Sequence, residues 1–153
     1  MATKKKAKKS TAKPKPKQKP PARRQPETLR LRTITTSFTA NDLPRSIAFY
    51  RDVLGFMVGE EWREGGTLQG AELKAGAVSF MISQDDFAQG RDRKKGVGFR
   101  IRCHTAQDVD RLAAEIKTRG GVLDQEPQDM PWGERIFSLT DPDGFKLSFV
   151  QAS

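Results

Sequence analysis

The segment at residues 131–150, PWGERIFSLTDPDGFKLSFV, decides the fold. Two runs with the composition of β-strands flank Asp141-Pro142-Asp143-Gly144, and that tetrapeptide favours a turn. Pro142 restricts φ to the value that the bend needs, and Gly144 accepts the positive φ that residues with a Cβ atom disfavour. The segment therefore predicts a β-hairpin.

A helix is predicted upstream, where residues 42–56 read DLPRSIAFYRDVLGF. Asn41 or Asp42 is suited to cap it, and Pro44 suits its first turn. Gly55 is suited to end it. The apolar residues that recur at helical spacing and predict its buried face are Leu43, Ile47, Tyr50 and Leu54.

The globular part repeats one order of elements, which predicts an α+β fold of two βαβββ modules, at about residues 33–86 and 96–151. The elements predicted for the first module are a strand at 34–40, the helix, and strands at 57–63, 67–73 and 77–83. Those predicted for the second are a strand at 97–103, a helix at 107–118, and strands near 121–123, 135–139 and 145–151. Residues 87–95 read as a polar linker.

Charge is distributed unevenly. Residues 1–32 hold 13 Lys or Arg and one acid, whereas the domain at 33–153 holds 15 basic and 18 acidic side chains. We expect the Lys- and Pro-rich tail to be disordered, because it has little apolar surface to bury. Its clusters suited to nonspecific contact with nucleic-acid phosphates are Lys4, Lys5, Lys6, Lys8, Lys9, Arg23 and Arg24. The alternatives are a solubilising extension and a membrane-surface role.

The chain contains no apolar run of about 18 residues, so we expect no membrane span. Its start lacks the apolar core of a secretory signal. The single cysteine, Cys103, excludes an intrachain disulfide and suits a reducing compartment. We therefore expect a cytoplasmic protein.

The patterns at Asp42–Phe56, Pro131–Arg135 and Asp141–Gly144 together resemble the vicinal oxygen chelate superfamily. That superfamily includes glyoxalase I, extradiol dioxygenases, fosfomycin-resistance enzymes and the metal-free bleomycin-resistance proteins. The resemblance covers about residues 33–150 and is closest to the bleomycin-resistance branch. It implies a curled mixed sheet with the helices on its outer face, and a homodimer whose two clefts lie between the subunits and hold a large planar cationic ligand.

Period two then assigns side chains to the two faces of the sheet. Those expected under the helices are Phe38, Phe80, Phe99, Ile101, Leu147 and Phe149. Those expected in the cleft are Thr35, Ser37, Thr39, Ser79, Gly98, Arg100, Arg102, Lys146 and Ser148.

The resemblance also implies four cleft positions at which the enzymes of the superfamily carry His, Gln or Glu as metal ligands. Motif spacing places these positions at Thr35, Ser79, Gly96 and Ser148, and none of these residues is a usual ligand. We expect the sole histidine, His104, to lie past the end of its strand. The prediction is a protein without metal or other cofactor, more plausibly a binder than an enzyme.

The predicted function is the sequestration of a planar or aromatic small molecule, an antibiotic being one candidate. The residues predicted to bind it are Trp132, Trp62, Arg100, Arg102, Arg135, Ser148, Thr35 and Ser37. The arginines favour an anionic or neutral ligand as much as a cation. One alternative is a metal-dependent glyoxalase-like lyase or dioxygenase. Another is a nucleic-acid-associated protein that acts through its basic tail.

Overall fold

The computed structural model describes Leu29 and residues 31–152, and Thr33–Ser153 form a compact unit. The lysine and arginine clusters between Lys4 and Arg24 lie outside the described residues. None of the helices in the described part of the chain is long and apolar enough to cross a membrane.

The first module contains one helical stretch and a four-stranded mixed sheet in the order β1-β4-β3-β2. Strand β1 is parallel to β4, and the other neighbours are antiparallel. Helix α1 continues directly into a π-helical segment at Phe49–Leu54. The remaining elements are β1 (Ser37–Ala40), α1 (Leu43–Ala48), β2 (Met57–Glu64), β3 (Thr67–Ala75) and β4 (Val78–Gln84).

The second module repeats this plan, with a sheet in the order β5-β8-β7-β6 and β5 parallel to β8. The predicted α+β fold of two βαβββ modules is confirmed. The elements of this module are β5 (Arg100–Thr105), α2 (Val109–Thr118), β6 (Gln125–Asp129), β7 (Arg135–Thr140) and β8 (Lys146–Gln151).

Three strand boundaries differ from the prediction. Strand β1 begins at Ser37 rather than at residue 34, and β6 lies at Gln125–Asp129 rather than near 121–123. Strand β5 begins at Arg100 because Gly96 and Gly98 adopt positive φ values of 71° and 74°, which are incompatible with an extended strand. Phe99 consequently precedes the strand and is 43% exposed, so its predicted burial under the helices is wrong.

Both helices begin at an aspartate. The side chain of Asp42 accepts a hydrogen bond from the backbone N–H of Arg45, and that of Asp108 accepts one from Arg111. Gly55 ends the helical stretch in the left-handed conformation, with φ of 88°. The predicted caps at Asp42 and Gly55 are therefore present.

An aromatic cluster fills the core between α1 and the first sheet and extends into the second module. Its rings are 4.6–6.0 Å apart, and Tyr50 is fully buried among them. The predicted burial of Phe38, Phe80, Leu147 and Phe149 is observed, and Ile101 is partly buried against the same core. The rings of the cluster belong to Phe38, Tyr50, Phe56, Phe80 and Phe145.

The turn at Asp141–Gly144 joins the two modules through two carboxylates. Asp141 is buried and accepts a hydrogen bond from the Tyr50 hydroxyl at 2.8 Å, as well as from the backbone N–H groups of Asp143 and Phe145. Asp143 accepts from the Asn41 N–H at 2.7 Å and from the Ser46 hydroxyl at 2.6 Å. The hairpin turn of the second module is thus bonded to the start and middle of the helical stretch in the first.

The linker between the modules is anchored to a second buried carboxylate, that of Asp85 at the end of β4. Its Oδ2 atom lies 2.6 Å from Lys95 Nζ and 2.6 Å from Arg93 Nη2, and both Asp85 and Lys95 side chains are almost fully buried. The Thr39 hydroxyl and the Phe87 N–H also donate to Asp85. Hydrogen bonds from Lys95 and then Arg93 lower the pKa of the Asp85 carboxyl.

Substitution of Tyr50 by Phe should lower the free energy of unfolding by about 1–2 kcal/mol, because Asp141 would lose one donor in a buried place. Urea denaturation of both proteins measures this difference. Thr67→Val removes an exposed hydroxyl and should change stability by less than about 0.5 kcal/mol. Equal effects of the two substitutions would show that the Tyr50–Asp141 contact does not stabilise the junction.

Substitution of Asp85 by Asn should destabilise the protein in a pH-dependent way. A carboxyl whose pKa is lowered by folding stabilises above its unfolded pKa of about 3.9, and this stabilisation is lost as pH falls through the folded value. The difference in unfolding free energy between wild type and Asp85→Asn should therefore be large near pH 7 and narrow below about pH 4. Urea titrations across this range test it, with the exposed Asp92→Asn as the control; a difference independent of pH contradicts the assignment.

Candidate functional site

Aligned strands of the second sheet carry polar residues in two neighbouring rows on one face. Cα partners in adjacent strands project to the same side of a sheet, and alternate residues such as Leu147 and Phe149 face the core on the other side. We call this surface, opposite α2, the polar face. Its first row is Arg100, Lys146 and Thr140, and its second is Arg102, Ser148, Ser138 and Gln125.

Arg102 belongs to a chain of polar contacts that includes the exposed tryptophan. Its Nη2 atom lies 2.7 Å from Glu134 Oε2, and the Trp132 indole N–H donates to the same oxygen at 2.6 Å. These contacts lower the pKa of Glu134, with Arg102 the larger cause. The Trp132 ring remains 61% exposed, so one indole edge is fixed while most of the ring surface is accessible.

Arg100 has different surroundings. Its Nη1 atom donates to the Ser148 hydroxyl at 3.2 Å, and Ser148 is only 2% exposed. Its neighbour across the strands is Lys146. Within the described residues, neither Arg100 nor Lys146 forms an ion pair with a carboxylate.

Arg135 lies on the other side of the second sheet, where it bridges to helix α2. Its guanidinium lies 2.7 Å from both carboxylate oxygens of Asp110 and 3.0 Å from Asp129. These hydrogen bonds raise the pKa of Arg135 and lower that of Asp110. The structure therefore does not bring Arg135 together with Arg100 and Arg102, and its contacts indicate a structural role.

Trp62 lies on the corresponding face of the first sheet, opposite α1. It pairs with Gly70 on β3, and a Cβ atom at Gly70 would stand 2.0 Å from the Trp62 ring. The indole thus lies across the glycine and is 36% exposed. Sequence reasoning missed Gly70, because a single glycine inside a strand pattern does not reveal which side chain covers it. Ser37 lies at the exposed start of β1, and Thr35 precedes that strand.

The strand register shows how the four positions assigned from the resemblance lie in the sheets. Ser79 lies on β4 and Ser148 on β8, where its partner on β5 is Arg102. Thr35 precedes β1. Gly96 lies in a loop before β5, where a Cβ atom would stand 2.4 Å from the Gly144 carbonyl oxygen. Gly96 is therefore not on the first strand of the second module, and the residue beside Ser148 on that strand is Arg102.

His104 and Cys103 lie on β5 itself, so the prediction that His104 lies past its strand is wrong. His104 is exposed and pairs with Val150. Cys103 projects to the helix side, and burial raises the pKa of its thiol to about 11. The thiol is consequently protonated near neutral pH, which disfavours a nucleophilic role.

A cavity of about 720 Å³ lies where β4 of the first module approaches β5 of the second. Most of its lining is apolar, and its polar lining residues are Thr36, Ser79, Arg102, His104, Thr105 and Gln107. We call it the junction cavity. Its apolar residues include Leu54, Phe56, Phe80, Ile101, Leu112 and Phe149.

The family model of the Glyoxalase/Bleomycin resistance protein/Dioxygenase superfamily matches residues 32–149. The chain belongs to this superfamily.

Individual relatives are distant. The chain is 26% identical over 131 residues to the lactoylglutathione lyase of Salmonella typhimurium, covering 80% of this chain and 93% of the relative. The crystal structure of TioX from Micromonospora sp. ML1 superposes with a TM-score of 0.64 at 22% identity, over 77% of this chain and 96% of TioX. UcmS2 gives a TM-score of 0.66 at 20% identity, over 80% and 98% of the two chains. At these identities the two structures show a shared fold.

Substitution of Gly70 by Ala should displace the Trp62 indole, because the new methyl group would overlap the ring. In a Trp132→Phe background, Trp62 is the only tryptophan, so its emission should shift to longer wavelength and acrylamide quenching should increase. Thr67→Ala on the same strand is the control and should leave both unchanged. Identical spectra for Gly70→Ala and its parent would contradict the placement of the ring over Gly70.

Proposed function

We propose that this protein binds a small organic molecule in the junction cavity and on the adjoining polar face, without using a metal ion. The observation that carries the proposal is the set of residues at the four ligand positions that the resemblance to the superfamily implies. Three are hydroxyl residues, Thr35, Ser79 and Ser148, and the fourth, Gly96, has no side chain. The residue beside Ser148 on β5 is Arg102.

These side chains do not fit a divalent metal ion. Zinc, iron and manganese favour imidazole, thiolate or carboxylate ligands, whereas a guanidinium has no lone pair to donate and repels a cation. Among Leu29 and residues 31–152, no group of three His, Cys, Asp or Glu side chains is arranged to hold a metal. We therefore assign no step of the function to a metal.

The junction cavity supports a binding function by its size and lining. Pockets for small molecules are commonly about 300–1,000 Å³ and mostly apolar with a few polar groups, and this cavity has both properties. Trp132 adds an exposed ring that a planar ligand can stack on, with an interaction worth about 0.5–1.5 kcal/mol beyond burial of area. Trp62 offers a second ring on the first sheet.

We also propose that the protein is a homodimer and that it sequesters its ligand in the cytoplasm. An antibiotic is one candidate ligand. This assembly, location and ligand follow from the resemblance to the bleomycin-resistance branch. The basic tail adds a proposed nonspecific contact with nucleic acid. Each of these statements is separable from the proposal that the junction cavity binds a small molecule.

A metal-dependent lyase is the second candidate, favoured by the similarity to relatives named lactoylglutathione lyase. This function needs ligands that the four positions do not supply. Measurement of lactoylglutathione lyase activity, with and without added divalent metals, tests it directly.

Untagged protein purified without chelators should show the mass of the bare polypeptide in native mass spectrometry. Addition of equimolar Zn²⁺, Mn²⁺ or Fe²⁺ should leave no stoichiometric adduct, because the implied positions supply only hydroxyl groups and the Arg102 guanidinium lies beside one of them. One tightly held ion per chain, together with lyase activity that depends on it, would overturn the proposal and establish the second candidate.

Binding itself is tested by blocking the cavity. Ser79 lines it, whereas Ser83 lies on the same strand and the same face but not in the cavity lining. Aromatic compounds that raise the melting temperature of the wild type should lose this effect in Ser79→Phe and keep it in Ser83→Phe. At a ligand concentration of 100 Kd the expected stabilisation is about 2.7 kcal/mol. Equal responses of both variants would place the ligand elsewhere and contradict the proposed site.

A further inference from the structure

We infer that the ligand carries an anionic group, a carboxylate, sulfonate or phosphate, which binds between Arg100 and Lys146 on the polar face. This inference rests on the proposed small-molecule function and names the chemical class of its ligand. It departs from the cationic ligand that the resemblance to the bleomycin-resistance branch implies.

The first argument is the pairing of charges in the second module. Residues 96–151 contain five arginines and two lysines. Four of the arginines and Lys117 are within ion-pair distance of a carboxylate, and the partners are Glu134, Glu115, Asp110, Asp129 and Glu126. In the described residues, only Arg100 and Lys146 of this module have no such partner.

The second argument is that these two cations are direct neighbours across β5 and β8. Like charges opposite one another in a sheet destabilise it, so an anion between them would relieve a repulsion that the protein otherwise tolerates. The next residue in their row is Thr140, whose hydroxyl donates to the Asp124 carboxylate at 2.5 Å. Within the described residues, Asp124 forms no ion pair with Lys146.

The third argument is the orientation of the Arg100 side chain. One guanidinium nitrogen donates to the buried hydroxyl of Ser148, which fixes the group on the polar face. A guanidinium has five N–H donors, so this contact leaves donors for a two-oxygen anion. Ser148 occupies a metal-ligand position of the superfamily, and here it positions an arginine.

The net charge of the polar face favours an anionic ligand. The face carries Arg100, Arg102 and Lys146, against the acids Glu134 and Asp124 bonded at its margin. One positive charge therefore remains uncompensated among the described groups. Neither the first sheet's Trp62 nor its ion pair between Lys74 and Glu72 belongs to this face.

The position of the two cations identifies a small molecule as the source of the anion. Arg102 lines the junction cavity, and Arg100 lies two residues earlier on the same face, about 6.6 Å along the strand. The apolar lining of the cavity includes Ile101, Leu112 and Phe149 and lies on the helix side of β5, whereas the two cations lie on the opposite side. Because β5 is an edge strand of its sheet, a ligand that buries an apolar body in the cavity reaches Arg100 and Lys146 around this edge. The ligand class is an aromatic or aliphatic organic anion.

Three probes with one ring system and different charge test this inference: 2-naphthoate, 2-naphthamide and 2-naphthylmethylammonium. Isothermal titration of the full chain at low salt should show naphthoate binding at least about tenfold more tightly than naphthamide, and the cation most weakly. Added NaCl should weaken naphthoate selectively, because charge pairing at an exposed site is screened.

Arg100→Gln and Lys146→Gln should each lower naphthoate affinity about five- to tenfold and leave naphthamide affinity unchanged. Arg100→Lys should retain most of the preference, since it keeps the charge. Arg111→Gln removes the same charge from the outer surface of α2, where the side chain is 82% exposed, and should change nothing. Circular dichroism and thermal unfolding confirm that each variant is folded.

The outcomes separate this inference from the function on which it rests. Binding of all three probes with equal affinity, or equal losses in Arg100→Gln and Arg111→Gln, would overturn the anionic class and leave cavity binding intact. Failure of all three probes, together with no effect of Ser79→Phe on any aromatic compound, would overturn both.

Discussion

The buried hydrogen bond between Tyr50 and Asp141 connects the two halves of this protein. Asp141 is held by three donors in an apolar core; burial, its largest influence, raises the pKa of this carboxyl. Because the turn at Asp141–Gly144 precedes β8 directly, its attachment to the first module also sets where β8 lies. The position of Ser148, and with it the orientation of Arg100, depends on this contact.

The superfamily fold offers four inward positions, and their side chains decide what the site can bind. Imidazole and carboxylate groups would attract a metal cation, which in turn attracts ligand oxygens. Here Arg102 lies beside Ser148, and Arg100 lies two residues earlier on the same strand, so the chain itself supplies positive charge on this face. The scaffold can thus favour an oxygen-rich ligand with or without a metal, which is why fold alone does not specify the chemistry.

Much of the architecture is predictable from the sequence, and the register is not. Helical spacing, the caps at Asp42 and Gly55 and the Asp-Pro-Asp-Gly turn predicted the elements that carry strong local patterns. Strand β6 was missed because QEPQD is polar and contains proline, and it forms as an edge strand through its neighbour β7. Motif spacing selected Gly96 as a position on the first strand of the second module, whereas the positive φ at Gly96 and Gly98 delays the start of that strand to Arg100. The ion pair between Arg135 and Asp110 could not be predicted from the sequence either, because the two residues are 25 positions apart.

The anchored linker has a consequence for how copies of this chain can associate. Two-module proteins can exchange one module between subunits when the connection between modules extends freely. Here Arg93 and Lys95 bond to Asp85 of their own first module, so the connection folds back before β5 begins. Extension of the linker would break these ion pairs and expose both the buried carboxylate of Asp85 and the buried amine of Lys95. The anchored linker therefore favours pairing of the two modules within one chain, because it keeps their effective concentration high. It opposes the exchange of modules between chains.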